Sequence, residues 1–208
     1  MNIHLTKSQI GLDGVPAAET ALSHVDGERG ELVIAGEHVA ELARRSSFEG
    51  VTARLWTAAT GRPLGEADVR KSLGAARERS FARLADLLPA TRGLSVVDGF
   101  RAAIAGLRAE NGLDHEATIV GAAAVIAGAL VQQAKGHEPV APNPNAGHAA
   151  DTLKMVRSRQ AEAREVAALE AYLVTVCDHG MNASTFTTRV VASTRASCLR
   201  RSRRVTAR

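Results

Sequence analysis

Aromatic residues are nearly missing from this chain: they are 3% of its 208 residues, as one Trp, one Tyr and four Phe. Apolar residues still make up 45% of the chain, so its interior has to be built from Ala, Leu and Val. That favours close-packed helices over a β-sandwich, which recruits more aromatic and β-branched side chains. The expected class is mainly α. Cysteine is equally scarce. Cys177 and Cys198 belong to no C-x-x-C pattern, which excludes a disulfide framework and fits a reduced intracellular setting. Long apolar runs are absent too. The most apolar one, Ile119 to Val131, has 13 residues, short of the roughly 20 that span a bilayer. The start, Met1-Asn2-Ile3-His4-Leu5-Thr6-Lys7, lacks the basic region and apolar stretch of a secretion signal. The expectation is a soluble cytoplasmic protein with no membrane partner.

Positive charge is present but confined. Of the formal net charge of +4, residues 196–208 supply five arginines and no acid, leaving the rest of the chain at −1. The body therefore has no basic face for nucleic acid, and only the terminal stretch could attract an anionic polymer or surface.

The one convincing β region lies in residues 8–36. Glu31-Leu32-Val33-Ile34-Ala35 reads as a strand and Asp26-Gly27-Glu28-Arg29-Gly30 as a turn, predicting a small hairpin. After Gly36 the periodicity is helical. Val39, Leu42 and Ala43 share a face, and Ser47 is placed to cap a helix holding Val51, Leu55 and Trp56. Gly61-Arg62-Pro63-Leu64-Gly65 is a break, followed by a helix from Glu66 to Leu88 ended by Pro89. Its charged portion, Glu66 to Arg83, reads as a solvated face. Helices follow over Leu94–Leu107 and Asp114–Gln133. The second is apolar on nearly all faces around Ala122 to Leu130, as expected at the centre of a bundle or in an oligomer interface, with Gly121 and Gly128 allowing close approach. Three prolines, Pro139, Pro142 and Pro144, make 137–146 a linker. Helix resumes over Ala146–Arg157 and Glu162–Asp178, the latter carrying an apolar stripe of Leu169, Tyr172, Leu173 and Val176.

Directly after that helix, Asp178-His179-Gly180-Met181-Asn182-Ala183-Ser184-Thr185-Phe186 gathers an imidazole, an amide and hydroxyls around a glycine. Gly180 suits a positive-φ helix end, and Asn182 or Ser184 can cap a helix running through Thr185 to Ala192. His179 then sits in a tight corner beside N–H groups of the next helix, a cradle for a carboxylate. The residues alone equally allow a histidine that merely closes a helix end.

The run from Asp178 to Thr194 closely resembles the citrate synthase family, and within it the bacterial citrate/2-methylcitrate synthase branch. Gly11-Leu12-Asp13-Gly14-Val15 with Glu19-Thr20, Glu31 to Gly36, and Tyr172-Leu173-Val174 resemble the same family in order. The resemblance implies the family's large helical domain, in part, over 8–195, with a small N-terminal β hairpin. It implies an acyltransferase that condenses acetyl-CoA with oxaloacetate to citrate in the tricarboxylic acid cycle, or uses propionyl-CoA as a 2-methylcitrate synthase. It carries the role of oxaloacetate ligand to His179, with Asn182 shaping the corner. It implies a homodimer and neither metal nor cofactor. In the family, a carboxylate deprotonates the acetyl methyl, one histidine stabilises the enol and another polarises the oxaloacetate carbonyl. No segment here resembles those that carry the base and these two histidines.

After Thr194 the resemblance dissolves into Arg195-Ala196-Ser197-Cys198-Leu199-Arg200-Arg201-Ser202-Arg203-Arg204. Residues 196–208 therefore read as a non-family tail produced by frameshift or truncation, and the polypeptide as an inactive form. The competing reading is a non-catalytic helical scaffold with a basic tail. His4, His24, His38, His115, His137 and His148 show no paired metal-ligand spacing and read mostly as surface residues, with His148 at a helix start.

Overall fold

The computed structural model describes residues 19–109, 115–194 and 200–201. A small antiparallel sheet comes first, made of β1 (Ser23–Asp26), β2 (Glu31–Ile34) and β3 (Glu37–His38) in that order. Asp26 Oδ1 accepts the N–H groups of Glu28 and Arg29, and Gly30 takes φ +65°, closing the expected turn with Asp26 opposite Glu31. The third strand was not anticipated. Positive φ at Ala35 and Gly36 reverses the chain at once, so that Glu37 pairs with Ile34.

Helices follow. They are α1 (Val39–Arg45) and α2 (Phe48–Thr60), the second capped by Ser47, whose Oγ accepts from Gly50 N–H at 3.0 Å. After the break comes α3 (Glu66–Ala82). The single helix expected as far as Leu88 is interrupted at Arg83, where φ −102° and ψ 4° leave the α region. A short α4 (Leu84–Leu87) and a 3-10 turn (Leu88–Thr91) follow. Pro89 lies in the first turn of the latter, where a missing N–H costs nothing. It opens a turn and does not end a helix.

Beyond it run α5 (Val96–Ala105), β4 (Arg108–Ala109), α6 (His115–Ala134), α7 (His148–Arg157), α8 (Ala163–Thr175), α9 (Ala183–Ser193) and β5 (Arg200–Arg201). The last strand pairs in parallel with β4. The expected limits of the packed unit at 8 and 195, and most of the 196–208 tail, lie outside the described residues.

The axis of the packing is α6. Its 20 residues are long and apolar enough to cross a bilayer, but more than half of that apolar stretch is buried among α3, α5 and α7. A Cβ on Gly121 would lie 2.7 Å from Ala76 Cβ, and one on Gly128 would lie 2.8 Å from Met155 Cβ. The two glycines thus set how closely α3 and α7 approach, as the sequence suggests.

Two expectations are corrected. First, α3 is not a solvated face: Val69, Leu73, Gly74, Ala76, Arg77 and Ser80 are buried. The cause is that α6 packs along it while the Pro-rich segment crosses it so tightly that a Cβ on Gly74 would meet Pro144 O at 2.0 Å. Second, the apolar stripe of α8 is split. Tyr172 is 61% and Val176 47% exposed. The buried side carries Val174, packed with Ile34, Leu42 and Val51, because α1 and α2 cover that side of the helix.

Candidate functional site

The α8 helix stops at Thr175, and the chain turns through Val176 to Met181 before α9 begins. Gly180 N–H donates to Asp178 Oδ1 at 3.1 Å, and Gly180 adopts φ +75°, a conformation that disfavours any side chain. A Cβ there would lie 3.4 Å from Val25 Cγ2 and 3.7 Å from Ser23 Oγ, so the corner sits against β1. The hydroxyl of Ser23 is buried without a hydrogen-bond partner among the described residues.

Asn182 is the cap, settling the choice between it and Ser184: its Oδ1 accepts from Thr185 N–H at 2.9 Å. Its Nδ2 lies 3.4 Å from His179 Nε2. An amide NH2 donates only, so this contact requires Nε2 to accept and leaves the ring proton on Nδ1. One side chain therefore both starts α9 and fixes the imidazole beside it. The first N–H groups of α9, on Ala183 and Ser184, have no partner within the helix, and no acid occupies its first turn. His179 is exposed. The corner can accept a carboxylate through the imidazole N–H and the helix N–H groups.

A second polar cluster was missed in the sequence. Arg77 of α3 is wholly buried, donating from Nε to Asp151 Oδ2 at 2.7 Å and from an Nη to Ala146 O at 2.8 Å. Its other Nη lies 3.2 Å from His148 Nδ1. Asp151 Oδ1 accepts from Asn143 N–H at 2.9 Å, and His148 N–H donates to the buried Glu49 Oε1 at 2.8 Å. The His148 ring rests on Phe48 with centroids 5.1 Å apart. His148 is thus not a surface residue. Desolvation, followed by the Arg77 charge, pushes its pKa down to about 3, so it is neutral. This cluster clasps the Pro-rich segment onto α3 and α2. The signal that could have exposed it was the i,i+3 spacing of His148 and Asp151, which puts both on one face of α7.

Among the described residues, no group of three or more His, Cys, Asp or Glu is arranged to hold a metal ion.

Fold and corner together define a helical protein that presents an imidazole–amide cradle at the junction of two helices. The model of the family described as citrate synthase, C-terminal domain, matches residues 11–200. The chain belongs to the citrate synthase family, a family of acyltransferases. It is 30% identical over 207 residues to the citrate synthase of Haloferax volcanii, covering 88% of this chain and 52% of that one. It is 32% identical to the 2-methylcitrate synthase of Mycobacterium tuberculosis, covering 89% and 49% of the two chains. A crystal structure of citrate synthase from Thermotoga maritima superposes with a TM-score of 0.75 at 23% identity, over 91% of this chain and 52% of that one. A Thermoplasma acidophilum citrate synthase in ternary complex with carboxymethyl coenzyme A and oxaloacetate gives a TM-score of 0.75 at 22% identity, over 90% of this chain and 52% of that one. The chain spans about half the length of the curated relatives it matches.

Proposed function

We propose that this chain supplies the oxaloacetate-binding wall of a citrate or 2-methylcitrate synthase, with His179 as ligand and Asn182 as the residue that orients it. The observation that carries this is the 3.4 Å approach of Asn182 Nδ2 to His179 Nε2. It holds the imidazole against the start of α9, where the backbone favours an anion. The bound Thermoplasma relative, whose complex includes oxaloacetate, supports the substrate class. In this reading a carboxylate of oxaloacetate receives the His179 Nδ1 proton as a hydrogen bond and rests near the Ala183 and Ser184 N–H groups. The partner substrate is acetyl-CoA or propionyl-CoA, and neither metal nor cofactor takes part.

The 208 residues contain no Gly-Pro-Leu-His-Gly segment and nothing resembling the family's catalytic base, so this polypeptide binds without turning over. A homodimer belongs to the same reading. It is supported by α9, which buries no residue and leaves Phe186, Val190 and Val191 exposed. The test is release of free thiol from acetyl-CoA or propionyl-CoA with oxaloacetate by the purified chain. No release above the protein-free rate is expected; sustained release would overturn the claim of inactivity.

A further inference from the structure

Away from the His179 corner, α4, the 3-10 turn after it and the end of α5 border a cleft of about 420 Å³ lined by Asp86, Leu87, Ala90, Ala102, Gly106 and Arg108. The volume lies in the range of small-ligand sites. Part of the lining is apolar and tightly made. Leu87 is buried, and a Cβ on Gly106 would lie 3.2 Å from Leu87 Cδ2, so the glycine lets the end of α5 close onto that side chain. Ala90 and Ala102 add only methyl groups, which keeps the space open. Two charged groups complete the lining. Asp86 of α4 and Arg108 of β4 are exposed, and neither pairs with the other or with any other side chain among the described residues. Arg83 also borders the cleft but has a partner of its own. The cleft therefore offers one free anion and one free cation, on different elements, beside an apolar wall. A simple anion would meet the Arg108 charge but be repelled by Asp86, and a simple cation the reverse. A solute with one charge of each sign close together satisfies both groups at once. Whatever it carries besides those charges meets Leu87 and two alanines, which suits a short aliphatic group.

We propose that this cleft binds an α-amino acid with a short aliphatic side chain, its carboxylate on Arg108 and its ammonium group on Asp86. The site shares no residue with the His179 corner, so the two stand or fall separately. The probe is L-valine, titrated into the 208-residue chain while the amide resonances of Leu87, Ala102 and Gly106 are followed by NMR. A saturable one-to-one shift is expected. Isovalerate, which is valine without its amine, and isobutylamine, which is valine without its carboxylate, should each bind about threefold more weakly, the scale of one exposed ion pair. Asp86→Asn removes the preference for valine over isovalerate and keeps the preference over isobutylamine. Arg108→Gln does the reverse. Each variant is read as the loss of one preference, which a general weakening through misfolding does not reproduce. Arg101→Gln, which removes an arginine of α5 already paired with Asp98, leaves all three affinities unchanged. Absence of a saturable valine shift, equal binding of the three solutes to the wild type, or variants that weaken all three alike would overturn the proposal.

Discussion

Arg77 Nε and Asp151 Oδ2 meet at 2.7 Å with both side chains fully buried, joining α3 to α7 across 74 residues of sequence. The carboxylate also takes Asn143 N–H, so this single ion pair fixes both a helix contact and the path of the Pro-rich segment. Truncating it with Asp151→Ala strands a buried guanidinium. Such removals cost about 3–5 kcal/mol. Urea denaturation is expected to show a loss of this size, with Asp151→Asn, which keeps one acceptor, falling between it and the wild type.

His148 makes the same cluster acid-sensitive. Its pKa is about 3 in the folded chain against an ordinary 6.5, so the unfolded chain takes up the proton first. Its contribution is complete above the unfolded value. It is lost as pH falls from 6.5 towards 3, at up to about 1.4 kcal/mol per pH unit. His148→Gln offers Arg77 an acceptor that does not titrate. Denaturation midpoints measured across this window should fall less steeply for the variant; parallel slopes would remove His148 from the account.

Much of this fold is legible in the sequence because local chemistry dictates it. The Asp26–Gly30 turn, the Ser47 cap, the Gly61–Gly65 break and the Asn182 corner all rest on residues within a few positions of one another. What was not legible depends on partners distant in sequence. Arg77 lies in a charged stretch and looks solvated until α7, more than 70 residues later, covers it. His148 looks like a surface residue at a helix start until Phe48 and Glu49 of α2 close over it. The Tyr172–Val176 stripe has helical spacing, but no period says which side α1 and α2 will cover. At the site, His179 and Asn182 were legible as neighbours in a turn, whereas Ser23 on β1 was not, since only the fold brings it beside Gly180.

Gly74 tests the close crossing of the Pro-rich segment. Alanine within a helix is ordinarily better than glycine by about 1 kcal/mol. Here the added Cβ would meet Pro144 O at 2.0 Å, backbone that cannot swing aside. Gly74→Ala should therefore lower Tm; a rise would mean that the segment is not seated on α3.

Glu170 carries a pH effect of the opposite sense. Burial is the main cause that raises its carboxyl above the usual range; the hydrogen bond from Phe48 N–H opposes this, and the nearby Glu49 charge adds to it. A raised carboxyl favours the protonated native state. Its stabilisation is present at low pH and lost as pH rises through the folded value. Glu170→Gln keeps an acceptor for Phe48 N–H without the charge. Relative to wild type, the variant should gain stability as pH rises from the ordinary carboxylate range through the raised folded value, read from denaturant midpoints. A constant difference would contradict this.

The most direct test of the central claim is the His179 ring resonance in histidine-labelled chain, followed by NMR as oxaloacetate is added. The account predicts a saturable shift of that resonance, weakened in Asn182→Ala, where the ring loses its orienting amide. A His179 signal that stays fixed throughout the titration, or shifts equally in Asn182→Ala, would contradict it.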